Sequence, residues 1–308
     1  MPTRLPMADT RRQSSAPPPF ARVAVIGYGL IGASLGLAIK QRWPQALVIA
    51  VDRKDVIETA MRMHAADVGG DDLVLAAEAE LIVLAAPVQA NHRILRELAD
   101  HVPGVALVTD VGSTKRETVA AAQALPERLR FIGGHPLAGA AVGGIEAARG
   151  DLFQGRPWIL TPSSPGDETG TLATMLEAIG AQVRTLAPEA HDALVTYLSH
   201  LPQLVASALM HVVGTHTGAE GLALAGRGLR DSTRLATSPP GVWRDIVATN
   251  HDNISAALDD LIEVLRRLQA GEGAADDLGR TFESAADWKR TLEQAFDDPA
   301  ITSREGGG

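Results

Sequence analysis

Val23-Ala24-Val25-Ile26-Gly27-Tyr28-Gly29-Leu30-Ile31-Gly32 decides the fold of this chain: an apolar, β-branched strand runs directly into G-x-G-x-x-G. A lone glycine triplet is a weak signal. Here it leaves a strand, opens a helical pattern (Ala33 to Lys40) and is followed by a second apolar strand ending at Asp52. Gly27 allows the tight turn, Gly29 lets backbone approach a pyrophosphate, and Gly32 lets the helix pack close to the sheet. The phosphates of a dinucleotide would sit on the N–H groups of Leu30, Ile31 and Gly32, at the positive end of that helix. Asp52 lies about 20 residues past the last glycine, where a carboxylate accepts from both ribose hydroxyls and repels a 2′-phosphate. The expected cofactor is NAD rather than NADP, tempered by Arg53, a neighbouring cation able to accommodate a phosphate.

Outward from this loop, strands alternate with helices up to about Pro188: Val23 to Gly27, Leu47 to Asp52, Leu81 to Ala85, Val105 to Asp110, Leu129 to Ile132 and Pro157 to Thr161. They are short, β-branched and apolar on both faces, which predicts a buried parallel sheet with helices on either side, the doubly wound α/β class. Ligands in such sheets bind outside the carboxyl ends of the strands, so loops beginning at Gly27, Asp52, Ala86, Val111 and Gly133 should face one crevice. After Pro188 the strand signal ends, and Glu189 to Met210, Leu229 to Thr237, Asp245 to Leu268 and Leu278 to Phe296 carry helical periodicity. The expected organisation is a disordered tail at 1–20, a Rossmann-type dinucleotide-binding domain at 21–188, an all-helical domain at 189–298 and a frayed tail at 299–308, the two domains sharing a rigid interface.

Composition narrows the function. With 308 residues and 45% hydrophobic content, the chain has enough apolar sequence for a full core and about two domains. The absence of cysteine excludes disulfides, thiolate metal sites and cysteine nucleophiles, and suits a cytoplasmic setting. A net charge of −9 argues against nucleic acid as a partner. The longest candidate for a membrane span, Leu73 to Val88, is interrupted by Glu78 and Glu80, so no membrane segment is expected.

Two further segments carry chemistry. Asp110-Val111-Gly112-Ser113-Thr114-Lys115 leaves one strand, and Gly133-Gly134-His135-Pro136-Leu137-Ala138-Gly139 leaves the next. At the ends of neighbouring parallel strands, Ser113 and His135 can meet over a nicotinamide, where a neutral imidazole takes the proton of an alcohol as hydride departs and the serine orients the ring. On position alone His135 also fits a glycine-flanked loop residue. His200, two residues before Pro202 in an apolar helix, equally fits a core histidine beside a proline kink, and Trp243 fits core or dimer packing. Arg227 and Arg230 read equally as solvated loop charges. No metal set is expected, since His211 and His216 are five apart and off a common helical face. His191-Asp192, near a helix start, reads as capping and surface charge.

Taken together, His135-Pro136-Leu137-Ala138-Gly139, Asp110 to Lys115, Ser199-His200-Leu201-Pro202, Arg230-Asp231-Ser232-Thr233-Arg234-Leu235-Ala236 and Trp243-Arg244-Asp245-Ile246 resemble the prephenate and arogenate dehydrogenase family. The similarity runs in order over about 220 residues, and the joint occurrence is far more specific than any single motif. The resemblance implies a nucleotide-binding domain followed by a helical dimerisation domain, and NAD-dependent oxidative decarboxylation of prephenate to 4-hydroxyphenylpyruvate for tyrosine synthesis. It implies His135 as acceptor of the ring-hydroxyl proton and Ser113 as its partner beside the nicotinamide. It also implies His200 at the substrate's polar groups, Arg234 on a substrate carboxylate and Trp243 near the pocket. An arginine fork suits a dianionic substrate inside an acidic protein.

The chain departs from the family pattern at Ala140-Ala141, where many members carry a small polar residue and an acid, and at Gln203, where some have a second histidine. Arogenate or dual specificity remains open, and any tyrosine inhibition is expected at the active site. A β-hydroxyacid dehydrogenase would use a lysine in the helical domain, yet residues 189–268 contain none. An NAD-sensing module would have no use for Ser113, His135, His200 and Arg234 together.

Overall fold

The computed structural model describes residues 17–139, 143–162, 166–270 and 274–297. The expectations made for residues 1–16 of the tail at 1–20, for the tail at 299–308 and for Ala140-Ala141 lie outside these residues. The chain enters the core at Phe20, the last residue of the expected N-terminal tail, which is 9% exposed and packs among buried residues.

The apolar run Arg22–Ile26 forms β1, and the turn that follows depends on Gly27, whose φ of +93° L side chains rarely adopt. A Cβ there would also fall 2.4 Å from the amide nitrogen of Ala86. The chain then enters helix α1 (Leu30–Arg42), β2 (Leu47–Val51), α2 (Lys54–Arg62), β3 (Val68–Gly70) and β4 (Leu81–Leu84). Helix α3 (Val88–His101), β5 (Ala106–Asp110), α4 (Arg116–Ala122), β6 (Leu129–Pro136), β7 (Pro157–Pro162), α5 (Asp167–Ala178) and β8 (Gln182–Thr185) complete one sheet of order β3-β2-β1-β4-β5-β6-β7-β8. The chain order reverses between β1 and β4, and this switch point opens the ligand crevice of doubly wound sheets.

Three sheet expectations need correction. Pro157–Pro162 is antiparallel to β6, because a connection whose described residues contain only a short 3₁₀ turn, Ile145–Ala147, brings the chain back in at the same end at which β6 leaves, with Pro136 opposite Trp158. The edge strands β3 and β8 were missed, one glycine-rich and the other polar, since neither needs two apolar faces. Gly133 does not begin a loop either: β6 continues through Gly133, Gly134 and His135 to Pro136, with His135 opposite Ile159.

Each face of the sheet carries its own apolar layer. One gathers Tyr28, Leu35, Ile39, Phe153, Trp158 and Leu172 under α1 and α5, and the other Leu84, Leu95, Leu98, Val108 and Leu129 under α3 and α4. Full burial of each such side chain contributes roughly 1.5–3 kcal/mol. These layers hold the carboxyl ends of β1, β2, β4, β5 and β6 in one row.

Beyond β8 the described residues are helical: α6 (Pro188–Val195), a π-helical turn (Thr196–His200), α7 (Leu201–Leu222), α8 (Arg227–Ser232), a 3₁₀ turn (Arg234–Thr237), α9 (Pro240–Thr249), α10 (His251–Gln269) and α11 (Ala274–Asp297). The π turn precedes Pro202, which has no N–H to donate to the preceding turn.

The membrane-span reading also needs correction, because residues 193–219 contain no Asp, Glu, Lys or Arg, and the helical run Pro188–Leu222 is long and apolar enough to cross a membrane. That run is interrupted by buried His200 and Gln203, and it leaves Tyr197, Leu198, Leu209 and Val212 exposed. Helix α11 adds a second exposed apolar stripe, Leu278, Phe282, Trp288, Leu292 and Phe296.

Candidate active site

The nucleotide end of the site is a cleft of about 610 Å³ lined by Gly27, Gly29, Asp52, Arg53, Ala86 and Pro87 among others. Gly29 is the N-cap of α1 without any side-chain cap, so the first N–H groups of the helix, Leu30, Ile31 and Gly32, have no intrahelical partner. A Cβ at Gly29 would meet nothing within 4 Å, which leaves room for a ligand against the backbone. Asp52 is held at the end of β2: its Oδ2 accepts from the Tyr28 N–H at 2.5 Å and its Oδ1 from the Arg53 N–H at 2.7 Å. The Arg53 guanidinium instead leans toward Asp55 at 3.4 Å with its side chain 78% exposed. A pyrophosphate on the helix N-terminus and a ribose at Asp52 fit this arrangement of free donors and a fixed acceptor.

A buried ion pair joins the strand ends beside this cleft. Lys115 and Asp110 are both fully buried and hydrogen-bonded to each other. The Asp110 carboxylate also accepts from the N–H of Gly112 at 2.8 Å and of Gly134 at 3.0 Å, while Lys115 Nζ donates to the Gly134 carbonyl at 2.8 Å. Gly134 must be glycine for this approach, since a Cβ would fall 2.5 Å from the Asp110 carbonyl oxygen. The pair ties the β5 loop to β6, although burial outweighs the Asp110 partner and holds the Lys115 pKa below that of a free lysine. Ser113 lies within that loop, half-buried.

His135 follows directly and is 8% exposed. Its Nδ1 lies 2.9 Å from Nε2 of His191, whose own Nδ1 lies 2.8 Å from Asp192 Oδ1. The ring partner is therefore His191 and not Ser113, whose hydroxyl makes no hydrogen bond with another described residue. Burial first, then the neighbouring His191, Lys115 and His200, holds the His135 pKa well below that of a free imidazole. His135 is thus a neutral base at neutral pH.

His191 and Asp192 are each 0% exposed, which overturns their reading as surface and capping charge. They face inward because Asp192 receives the N-terminus of α4: Oδ1 accepts from the Lys115 N–H at 2.7 Å and Oδ2 from the Arg116 N–H at 3.0 Å. Burial pushes this carboxyl up, but the bonds from His191, Arg116 and Lys115 prevail and hold its pKa below the usual carboxylate range.

Asn250, at the junction of α9 and α10, connects this cluster to His200. Its Oδ1 accepts from Arg116 at 3.1 Å and from Asn253 at 2.8 Å, so its Nδ2 faces the Asp192 carbonyl (3.1 Å), the Thr196 hydroxyl (2.8 Å) and His200 Nδ1 (3.3 Å). The Nδ1 of His200 is then an acceptor, and its proton sits on Nε2. That Nε2–H is buried without a partner among the described residues. Burial lowers the His200 pKa to about 4, so it is a neutral donor. Trp243 packs edge-on against it, with ring centroids 6.0 Å apart.

Arg234 is exposed at the start of its 3₁₀ turn and forms no ion pair with another described residue. The turn is fastened to α7 by Gln203, whose amide donates to the Leu235 carbonyl at 2.8 Å and accepts from the Ser238 hydroxyl at 2.9 Å. Across the two halves, Thr114 meets Thr249 at 2.7 Å, Gln89 N–H donates to Asp245 at 3.2 Å, and Arg116 forks onto Asp252.

Among the sequence-derived candidates, Gly27, Gly29 and Asp52 share the cleft and His200 and Trp243 share a contact. Sequence reasoning missed Lys115, His191, Asp192, Gln203 and Asn250. The available signal was two adjacent titratable residues, His191-Asp192, directly before the apolar, charge-free helix.

Comparison with known proteins agrees along both halves. A family model described as the prephenate dehydrogenase nucleotide-binding domain matches residues 35–185, and one described as the prephenate dehydrogenase dimerization domain matches 187–284. The prephenate dehydrogenase of Bacillus subtilis is 35% identical over 282 residues, covering 88% of this chain and 76% of that protein. The cyclohexadienyl dehydrogenase of Zymomonas mobilis is 31% identical over 265 residues, 83% and 90% of the two chains. Among solved structures, Aquifex aeolicus prephenate dehydrogenase in complex with hydroxyphenyl propionate and NAD+ superposes with a TM-score of 0.81 at 27% identity, covering 88% of this chain and 98% of that one. The arogenate dehydrogenase of Synechocystis gives a TM-score of 0.71 at 30% identity, covering 87% and 99%. With a dinucleotide cleft, a helical second half and both family models matched in order, the chain belongs to the prephenate dehydrogenase family.

Proposed function

We propose that this chain catalyses the NAD-dependent oxidative decarboxylation of prephenate to 4-hydroxyphenylpyruvate, the step that commits prephenate to tyrosine. The observation that carries the reading is the pairing of two neutral histidines of opposite use: His135, held below the free imidazole pKa at the end of β6, and His200, with a buried and unpartnered N–H donor. A base and a donor in one site suit a substrate that must lose a hydroxyl proton while its other polar groups are held.

NAD, when bound at the Gly27–Asp52 cleft, supplies the hydride acceptor. His135 takes the proton of the ring hydroxyl as hydride leaves the same carbon, and Ser113 binds beside that hydroxyl. The bond from the opposite ring carbon to its carboxylate breaks, its electrons complete an aromatic ring, and carbon dioxide departs. His135 then returns its proton to the phenolate oxygen, so no net proton is released. Arg234 forks onto a carboxylate of the dianion, His200 donates its Nε2–H to the substrate, and Trp243 packs behind His200 to exclude water. The exposed stripes on α7 and α11 are the faces of a homodimer, consistent with the family's dimerization domain. Tyrosine, an analogue of the product, would inhibit by entering this same pocket.

Arogenate differs from prephenate at one side-chain carbon, and the similarity to an arogenate dehydrogenase keeps that substrate as the second reading. Initial rates with each substrate, each with NAD and NADP, test both. Turnover of prephenate with NAD is expected to dominate, and the absence of turnover with either substrate would overturn the proposal.

A further inference from the structure

We propose that His191 is a positioning residue: it relays the carboxylate of Asp192 to His135, so that His135 carries its proton on Nδ1 and offers a bare Nε2 to the substrate hydroxyl. The inference rests on the functional reading above for what Nε2 does, but the proton arrangement follows from the contacts for a His191 ring that carries a single proton.

Asp192 is the fixed end. Its two oxygens accept from the backbone N–H groups of Lys115 and Arg116, and the Arg116 guanidinium lies 3.4 Å from Oδ2. A carboxylate so surrounded is ionised and can only accept, so the 2.8 Å contact requires the proton on Nδ1 of His191. With a single proton on its ring, His191 then has a bare Nε2. The 2.9 Å contact between the rings needs one proton, and the only one available is on Nδ1 of His135. His135 is left with an unprotonated Nε2, to which no described residue donates.

The alternative arrangement is inactive. If His191 held both protons, Nδ1 of His135 would have to accept, its proton would move to Nε2, and the base would be blocked. The other charged and titratable groups around the two rings are Lys115, which is paired with Asp110, Arg116, which is paired with Asp252, and His200. Among the described residues Asp192 is the one carboxylate in direct contact with either ring, so the imidazolium formed at His135 finds its compensation through His191. The arrangement extends the carboxylate–imidazole pairing of hydrolytic triads by one ring.

The test uses the full chain labelled with ¹⁵N-histidine. Two-bond ¹⁵N–¹H correlation spectra at neutral pH, assigned with His135→Asn and His191→Gln, should show Nδ1–H with bare Nε2 for both rings. A bare Nδ1 at His135 overturns the proposal. In kinetics, His191→Leu should lower kcat by roughly 10²-fold with little change in prephenate KM, the scale of a misplaced base. It should also move the acid limb of the pH profile to lower pH, since the imidazolium loses its acceptor. His191→Gln, whose amide oxygen can replace Nε2 as acceptor, should recover most of the rate. Wild-type kcat and an unmoved pH limb in His191→Leu overturn the proposal. So does equal impairment of the Leu and Gln variants that tracks lost thermal stability. The spectroscopic arm needs no substrate, so a failure of prephenate turnover contradicts the functional reading and leaves the tautomer assignment standing or falling by itself.

Discussion

Nδ2 of Asn250 lies 3.3 Å from Nδ1 of His200, and this contact leaves the Nε2–H of His200 buried with no partner among the described residues. An unsatisfied buried donor costs roughly 1–3 kcal/mol, a cost retained where a ligand supplies the acceptor. His200→Leu is therefore expected to leave the free protein as stable or more stable while raising prephenate KM tenfold or more. Thermal unfolding and steady-state kinetics on the same variant check this; unchanged KM would remove His200 from the substrate site.

Histidines held below the free imidazole pKa, His92 by burial as well as His135 and His200, set a pH window for stability. The folded-state pKa of His200 is about 4 against 6.5 for the free side chain, and His135 is lowered in the same direction. Between these values the unfolded chain binds protons that the native state refuses, so stability falls as pH is lowered from about 6.5 toward 4. Each such group contributes a slope of up to about 1.4 kcal/mol per pH unit. Asp252, lowered to about 2 by its hydrogen bond with Arg116, acts only below the usual carboxylate range. Urea unfolding at pH 7.5, 6.5 and 5.5 should show the decline, and His200→Leu should reduce its slope. A flat profile across this window contradicts the neutral, buried state of these rings.

Asp52→Ala is expected to weaken NAD binding and narrow the NAD/NADP preference, because it removes the acceptor at the ribose and the charge that repels a 2′-phosphate. Since Asp52 also accepts from the Tyr28 and Arg53 N–H groups, a modest loss of stability should accompany the change. Titration with both cofactors reads the outcome. An unchanged ratio would place the ribose elsewhere.

Arg234→Gln should act on the substrate rather than on NAD, since the arginine lies on the helical half, on the turn fastened to α7 through Gln203. Its lack of an ion pair with described residues leaves the fork free for a carboxylate. A loss on the order of 2–5 kcal/mol is expected if the pair is desolvated in the complex. Prephenate KM, NAD affinity and oligomer mass measured together separate this from a dimer contact, which would change mass and stability but leave KM as it was.

Much of this architecture was legible because its signals are local. The strand into Gly27, the second strand ending at Asp52 and the helical periodicity after Pro188 each lie within a short window. What escaped depends on contacts across the fold. Asp192 is defined by the N-terminus of α4, 76 residues earlier, and by Asn250, 58 residues later, so His191-Asp192 read in isolation resembled a helix start. Gly133-Gly134 read as a loop because the close approach of Asp110 that requires glycine is invisible in the sequence. The direction of Pro157–Pro162 follows from how its connection returns, which apolar patterning does not record. The charge-free run 193–219 was passed over because its histidines and proline break up the look of a span, although none of them carries a fixed charge.

The central claim is that His135 removes a hydroxyl proton while hydride and carbon dioxide leave the same substrate. The direct test is the stoichiometry of NADH, carbon dioxide and 4-hydroxyphenylpyruvate formed from prephenate by the wild-type chain and by His135→Asn. The wild type should form the three in equal amounts, with a rate that falls only at pH below the free imidazole value. His135→Asn should bind NAD normally and be slower by roughly 10² or more. Equal rates for the two proteins, or NADH formed without carbon dioxide, would contradict the account.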